Sequence, residues 1–476
     1  MKRHALFMSL WLAMLAQVAS ATPAAGLKAG AAKLDITPTS DRLLPGDSIR
    51  DPLSVRAIVL RNGTNCAVLV GVDQAGFFSV RIQDVIAHAS KVTGCSPENF
   101  VVSATHTHSG STRSLLDPTG QPQATKVEDA IFAAIIKASN SLRPARVGFG
   151  ETKLDINVNR DAWINGQWMQ ASNPAGPSDK TLAVVEFVDA SNHPIAAYMN
   201  YAMHPINFYL SGVISADVPG EVSRYVESQF DPEMVAIFAQ GAAGDQNPAL
   251  TTPVLNLIAN RTSGSTRQDR TVARTDPWVE LATERNGNAR LSAALAKPVP
   301  DDQRADYRAA IARSSELVRA EGVLMGEKVI ETMRFGIANL DAEAVPVGFS
   351  TSLQCPGRDR LDRADPVREG SAPPYADGAP VVMREGVLRI GSVYILSVDG
   401  EVYSEIASEL KEKAGDHHVI FTTLANGMAN SGYIYSDNAR DHLTFQVIDS
   451  RLKAGCAQGK IVAAGMDLIQ RAEQGK

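Results

Sequence analysis

Apolar residues follow two rhythms along this chain. Short runs such as Val55 to Leu60, Cys66 to Val72, Phe100 to Val102, Leu182 to Val188, Val235 to Phe238 and Val419 to Thr423 are nearly continuous and rich in β-branched residues. They predict strands buried on both faces. Between them, Ile82, Val85, Ile86 and Ala89 recur at helical spacing within Val80 to Lys91, and Ile131, Ala134, Ile135 and Ala138 do so within Val127 to Asn140. Strand, helix and strand from Cys66 to Ala104 form a βαβ unit, which makes a right-handed parallel pair. The expected fold is therefore α/β, with helices packed on mixed sheets. Leu182 to Val188 and Ile195 to Asn200 read as a hairpin, Val381 to Val398 as another turning near Gly386, and Val402 to Lys413 as a helix. Trp278 to Leu295 and Arg304 to Met333 also read as helices, and Ala344 to Leu353 as a strand.

Polar side chains gather where these strands end, the edge at which α/β sheets bind ligands. Asp73 closes one strand and is either a turn former or a group that orients a neighbouring histidine. The Phe100 strand empties into Thr105-His106-Thr107-His108-Ser109-Gly110. Two imidazoles two residues apart leave the same face of extended backbone and can converge on one metal ion; a bare His-x-His reads equally as two polar residues at a strand end. His204 precedes Pro205 and so ends its element. Ser215-Ala216-Asp217 opens a helix, and Gln240 to Pro248 (QGAAGDQNP) reads as a tight turn or as backbone brought close to a ligand. Arg160 falls in what reads as a polar loop, Asn157 to Arg160, solvated there or, in a cleft, fixing an anionic or carbonyl oxygen. Glu401 lies at a strand-to-helix junction, as a metal ligand or simply an acid favoured by the helix N-terminus. Cys355 to Pro380, rich in Pro, Gly, Arg and Asp, predicts a long exposed loop and a possible lid.

Composition narrows the class without changing the fold. At 476 residues, 44% hydrophobic and 21% charged, the chain has ample material for a large core. A net charge of −6 offers no electrostatic reason for a nucleic-acid partner. Met1 to Ala21 has a basic head, a short apolar middle and the small-x-small ending Ala19-Ser20-Ala21, the pattern of a secretory signal peptide. No later stretch has the ~18 apolar residues of a membrane helix. An exported, periplasmic or secreted protein follows, in which Cys66, Cys95, Cys355 and Cys456 can form up to two disulfides in any of three pairings. Residues 22–476 are expected to form a single domain.

Taken in order, AAKLDITP, DPLSVRAIVL, the Asp73 strand, SATHTHSG, NVNR, His204, SAD, QGAAGDQNP, Gly400-Glu401 and the stretch from Asn426 to Tyr433 resemble the catalytic domain of neutral ceramidases, over about residues 28–440. The resemblance implies an α/β domain holding one zinc ion that activates water to attack an amide carbonyl. It implies His106, His204, Glu401 and Tyr433 as ligands, with Tyr435 the competitor for the last place. His108, Arg160 and Asp73 would then lie around the substrate or behind the ligands, His108 passing a proton to the leaving amine.

The departures bear on substrate. Where ceramidases resemble Gly-Asp-x-Ser-Pro-Asn, this chain has Gly244-Asp245-Gln246-Asn247-Pro248-Ala249, so an acyl-serine is excluded there, while Asn247 can hydrogen-bond a carbonyl or oxyanion. Ser111-Thr112-Arg113-Ser114 replaces a glycine-rich run, and no counterpart of the C-terminal β-sandwich of full-length ceramidases is expected. Arg113 and the arginines from Arg358 to Arg368 either favour an acidic substrate or are solvated loop charges. The expected function is zinc-dependent hydrolysis of an amide, N-acyl, ceramide-like or otherwise small and lipid-like. The alternatives are ester hydrolysis at the same site, or a zinc-containing envelope binding protein whose catalysis went with the serine.

Overall fold

A computed structural model describes residues 26–43, 47–77, 79–110, 124–209, 211–250, 304–363 and 367–475. The signal-peptide segment, Arg113 and the expected helix Trp278 to Leu295 lie outside the described residues.

Three sheets carry the site, and each contains a parallel pair joined through a helix. In the first, Asn65–Val72 runs parallel to Phe100–Ala104, connected through the helix Ser79–Thr93, while Ser54–Asn62 and Lys28–Asp35 extend the sheet antiparallel. In the second, Pro194–Tyr201 pairs antiparallel with Thr181–Val188 and parallel with Val235–Gln240, the crossover being the helix Asp217–Ser228. In the third, Val393–Val398 runs parallel to His418–Thr422 across the helix Ser404–Ala414. These strands read as unbroken apolar runs because helices or other sheets cover both of their faces.

The sheets share a core in which Leu69, Val101, Tyr198, Ile237, Ile395 and Ile420 meet. Polar stitches lock their relative positions: Asn426 donates through Nδ2 to the Phe100 carbonyl and accepts from the Val102 amide, and Tyr198 and Thr422 share a hydrogen bond of 2.8 Å. The carboxyl ends of the three parallel pairs are thus held at one place.

The disulfides are Cys66–Cys95, which ties the first strand of the βαβ unit to the turn before Phe100, and Cys355–Cys456, which ties a hairpin to the start of the C-terminal helix Ala457–Gln474.

Several local expectations change. Cys355 to Pro380 is not one long loop. Pro346–Arg360 and Tyr375–Ile390 are the arms of a long antiparallel hairpin. The turn expected near Gly386 lies instead at Gly391, whose φ of 61° suits glycine. Both arms alternate buried and exposed residues over much of their length, so no continuous apolar run announces them. Asn157 to Arg160 is likewise no loop but the start of the buried strand Asn157–Ile164, paired with Gln167–Asn173 and Gln246–Pro248. Among the described residues no helix is long and apolar enough to cross a membrane.

Candidate metal centre

His106 follows the strand Phe100–Ala104, His204 follows Pro194–Tyr201 and Glu401 follows Val393–Val398, so each sheet delivers one group. The histidines arrive differently from the expected extended ladder. His106 adopts φ 68°, in the left-handed region, and its amide donates to the Gln74 carbonyl. The chain therefore turns at His106, and the turn brings the two rings edge to face with centroids 4.6 Å apart. A non-glycine residue held at positive φ costs ~1–2 kcal/mol, which the surrounding hydrogen bonds must offset.

The ring orientations fix the chemistry. His106 Nδ1–H donates to the Ala75 carbonyl at 2.5 Å and His204 Nδ1–H to the Ala243 carbonyl at 2.6 Å. In both rings the Nε2 lone pair is therefore free and points inward. These two Nε2 atoms lie 3.1 Å apart, and Glu401 Oε2 lies 3.2 Å from one and 3.3 Å from the other. Three acceptors facing one another at that distance repel unless a cation or a proton sits among them. His108 Nε2 adds a fourth atom, 3.2 Å from His106 Nε2, and its Nδ1 is buried without a partner among the described residues. The three histidines together offer donor atoms within 4.8 Å of one another.

Electrostatics keep His108 and His204 neutral and the Glu401 carboxylate ionised. Burial and then the Arg160 guanidinium push His204 down to about 3, and burial with the other two imidazoles holds His108 well below its ordinary value. Burial alone would raise Glu401, but His106 and His204 outweigh it and pull the carboxyl well below the usual range. Neutral nitrogens beside a carboxylate are the state in which a site takes up a divalent ion.

Tyr433 is brought in by register. Glu401–Val402 pairs in parallel with Tyr433–Ile434, placing Tyr433 beside Glu401, where it bonds to both Glu401 and Arg160. Burial and then the Glu401 charge raise the phenol, so it is neutral in this setting. Tyr435 turns away and donates to the Leu452 carbonyl.

Arg160 is 3% exposed and its donors are engaged. Nε and Nη2 donate to the Gly244 carbonyl, Nη1 to Asn247 Oδ1 at 3.2 Å, and Nη2 lies 3.4 Å from His204 Nε2. It braces the Gly244–Asn247 turn against the histidines, a role missed while Arg160 was read as part of a loop. Arg160 occupies the oxygen of Asn247, and the buried Nδ2 of that side chain has no acceptor among the described residues.

The model of the neutral/alkaline non-lysosomal ceramidase N-terminal domain matches residues 44–289, just over half of the chain. The chain belongs to the neutral/alkaline non-lysosomal ceramidase family. Neutral ceramidase A of Dictyostelium discoideum is 29% identical over 213 residues, which are 40% of this chain and 30% of that protein. Neutral ceramidase of Drosophila melanogaster is 23% identical over 182 residues, 34% and 26% of the two chains. The match thus spans less than a third of the length of these relatives. The crystal structure of neutral ceramidase from Pseudomonas aeruginosa shares the fold with a TM-score of 0.63 at 17% identity, covering 94% of this chain and 75% of that one. A ceramidase structure described as complexed with C2 superposes with a TM-score of 0.64, also at 17% identity.

Two expectations for this ceramidase-family site change. Asp73 does not orient a histidine: its Oδ2 accepts from the Ser54 amide and pairs with Arg56, which also binds Glu227, a buried ionic network beneath the Gln74–Ala75 turn. Of the arginines from Arg358 to Arg368, Arg358, Arg360 and Arg363 have partners within the chain, Arg363 pairing with Asp359 at 3.6 Å. Arg358 stacks on Tyr375 at 4.2 Å and donates to the Ser450 carbonyl, and Arg360 pairs with Asp362. The backbone carbonyls of Ala75 and Ala243, which fix the tautomers, carried no sequence signal, since any residue type supplies one.

Proposed function

We propose that this chain is an exported zinc-dependent hydrolase that cleaves the amide bond of an N-acyl, ceramide-like or similarly lipid-like substrate. One observation carries the reading: the inward lone pairs of His106, His204 and Glu401 form a triangle with edges of 3.1, 3.2 and 3.3 Å. Ligands held by zinc at ~2.0–2.1 Å in a tetrahedral array are about 3.3 Å apart. Imidazole and carboxylate are also the donor set of hydrolytic zinc sites. When bound, zinc supplies Lewis acidity, lowering the pKa of a water towards ~7 and polarising a carbonyl.

The chain's own groups divide the remaining work. His106 and His204 are held in one tautomer by the Ala75 and Ala243 carbonyls, a pre-set orientation that needs no rearrangement on loading. Tyr433 completes the ligand set in this reading. His108, neutral and less buried than its neighbours, holds and hands on the proton for the leaving amine. Arg160 fixes the Asn247 carboxamide with its oxygen turned away, so that Nδ2 is presented as a donor to the substrate carbonyl as charge develops there. A carboxamide is no nucleophile, so attack is by water and no acyl-enzyme forms. The closeness of His108 Nε2 to His106 Nε2 favours a second arrangement, with His108 in place of Tyr433 as the remaining ligand. Zinc content of Tyr433→Phe beside His108→Ala separates the two.

The test is metal content of the purified mature protein beside hydrolysis of a panel of N-acyl amides and esters, for wild type and His106→Ala. About one zinc per chain, with metal and turnover both lost in the variant, is expected. Turnover of esters alone would move the activity to ester hydrolysis. Zinc without turnover on any substrate would turn the reading to a binding protein, and absence of zinc from protein kept clear of chelators would overturn it.

A further inference from the structure

The Ser215-Ala216-Asp217 stretch remains without a role, and its last residue is conformationally unusual. Asp217 is fully buried and has φ 54°, in the left-handed region that favours glycine. Glycine there would remove the strain, so an aspartate that endures it points to a need for the side chain. That carboxylate receives three N–H groups. Oδ2 accepts from the Asn207 amide at 2.8 Å, and Oδ1 accepts from Asn207 Nδ2 at 2.8 Å and from the Val218 amide at 2.7 Å. The bond from Val218 alone would serve to cap the helix Asp217–Ser228. The two from Asn207 do something else, because they close the loop that begins at His204.

The same segment reaches the other histidines. The Ser215 amide donates to the Ser109 carbonyl at 2.9 Å, Thr107 Oγ1 donates to the Ser215 carbonyl at 2.8 Å, and the His108 amide donates to the Pro205 carbonyl at 3.1 Å. Ser215 Oγ in turn accepts from the Asp217 amide and donates to Asp51. The turn carrying His106 and His108 and the loop carrying His204 are therefore both fastened to residues 215–217.

We infer that Asp217 is a positioning residue whose carboxylate, by clamping Asn207, sets the approach of the His204 loop to the His106–His108 turn and so the spacing of the imidazoles. The inference rests on the metal reading above for its functional consequence, but the clamp itself is tested separately. Asp217 touches neither substrate nor metal in this account. Its effect is on how well the site is formed before loading.

The experiment compares wild type, Asp217→Gly, Asp217→Asn and Asn207→Ala by zinc titration and by hydrogen exchange of the peptides covering 104–110 and 203–209. Asp217→Gly relieves the backbone and removes the clamp. It is expected to stay folded, exchange faster in both peptides and bind zinc ~10-fold more weakly. Asp217→Asn, which tolerates the same φ and keeps one acceptor, is expected to fall between it and wild type, and Asn207→Ala to resemble Asp217→Gly. Unchanged zinc affinity and exchange in a folded Asp217→Gly would overturn the clamp. If Asp217→Gly fails to fold, Asn207→Ala decides on the same two readouts. Wild type that takes no zinc would instead sink the metal reading, while exchange in the variants still judges the clamp.

Discussion

Glu321 offers a test of the structure through stability alone. It lies on the long helix Arg304–Glu331, is 2% exposed, and neither carboxylate oxygen has a partner among the described residues. Burial, and then the nearby Asp217 charge, raise it from 4.5 to about 8. The folded protein therefore holds a proton that the unfolded chain has released, so folding becomes less favourable as pH rises from the unfolded to the folded value. At 1.36 kcal/mol per unit, the penalty grows by about 3–4 kcal/mol between pH 5 and pH 8. Glu321→Gln keeps the shape and removes the titration. Urea unfolding of both proteins at several pH values across this range should show the variant gaining on wild type by about that amount towards pH 8, with little difference at pH 5. Asp245 and Glu186, both raised to about 7 chiefly by burial, tilt the two profiles equally and cancel in the difference. Parallel profiles across the whole range would refute the burial of an unpartnered carboxyl at this position.

Other perturbations probe the supports of the site. Arg56→Met leaves Asp73 buried without the guanidinium it pairs with, while Glu227 keeps only Lys33, and should cost ~3–5 kcal/mol in unfolding free energy, largely recovered when Asp73 is also made neutral. Gly244→Ala places a Cβ 3.0 Å from the Val402 carbonyl oxygen and 2.9 Å from the Tyr403 ring, forcing apart the segments that carry Arg160's acceptor and Glu401. Hydrolysis by that variant should fall ~10–100-fold with the fold retained by circular dichroism. Replacing Cys355 and Cys456 by serine, which opens a cross-link between residues 101 apart, should cost up to ~5 kcal/mol, against ~3–4 kcal/mol for Cys66 and Cys95, 29 apart. Chemical denaturation of the two paired variants gives that order directly.

What sequence made legible follows what each element needs to exist. Cys66 to Val72 had to be apolar because it is covered on both faces, and its helical partner had to be striped because only one side meets the sheet, so the βαβ unit and the strand ends bearing His106, His204 and Glu401 could be read from periodicity. Arg160 was hidden for the opposite reason. Its strand is buried yet polar, since Asn157, Asn159, Arg160 and Asp161 find partners on other segments: Gly244 and Asn247 lie 84 and 87 residues away, and His442 pairs with Asp161. No local pattern encodes a partner that distant. The turn at His106 was hidden because left-handed backbone at a non-glycine residue is imposed by its surroundings, here the Gln74 carbonyl on its amide and the Ala75 carbonyl on its ring. Residue identity thus announces the candidate ligand atoms, while their convergence depends on backbone carbonyls and strained dihedrals to which composition is blind. His spacing in an extended strand finds the right residues for the wrong geometry, because their convergence begins where the strand stops.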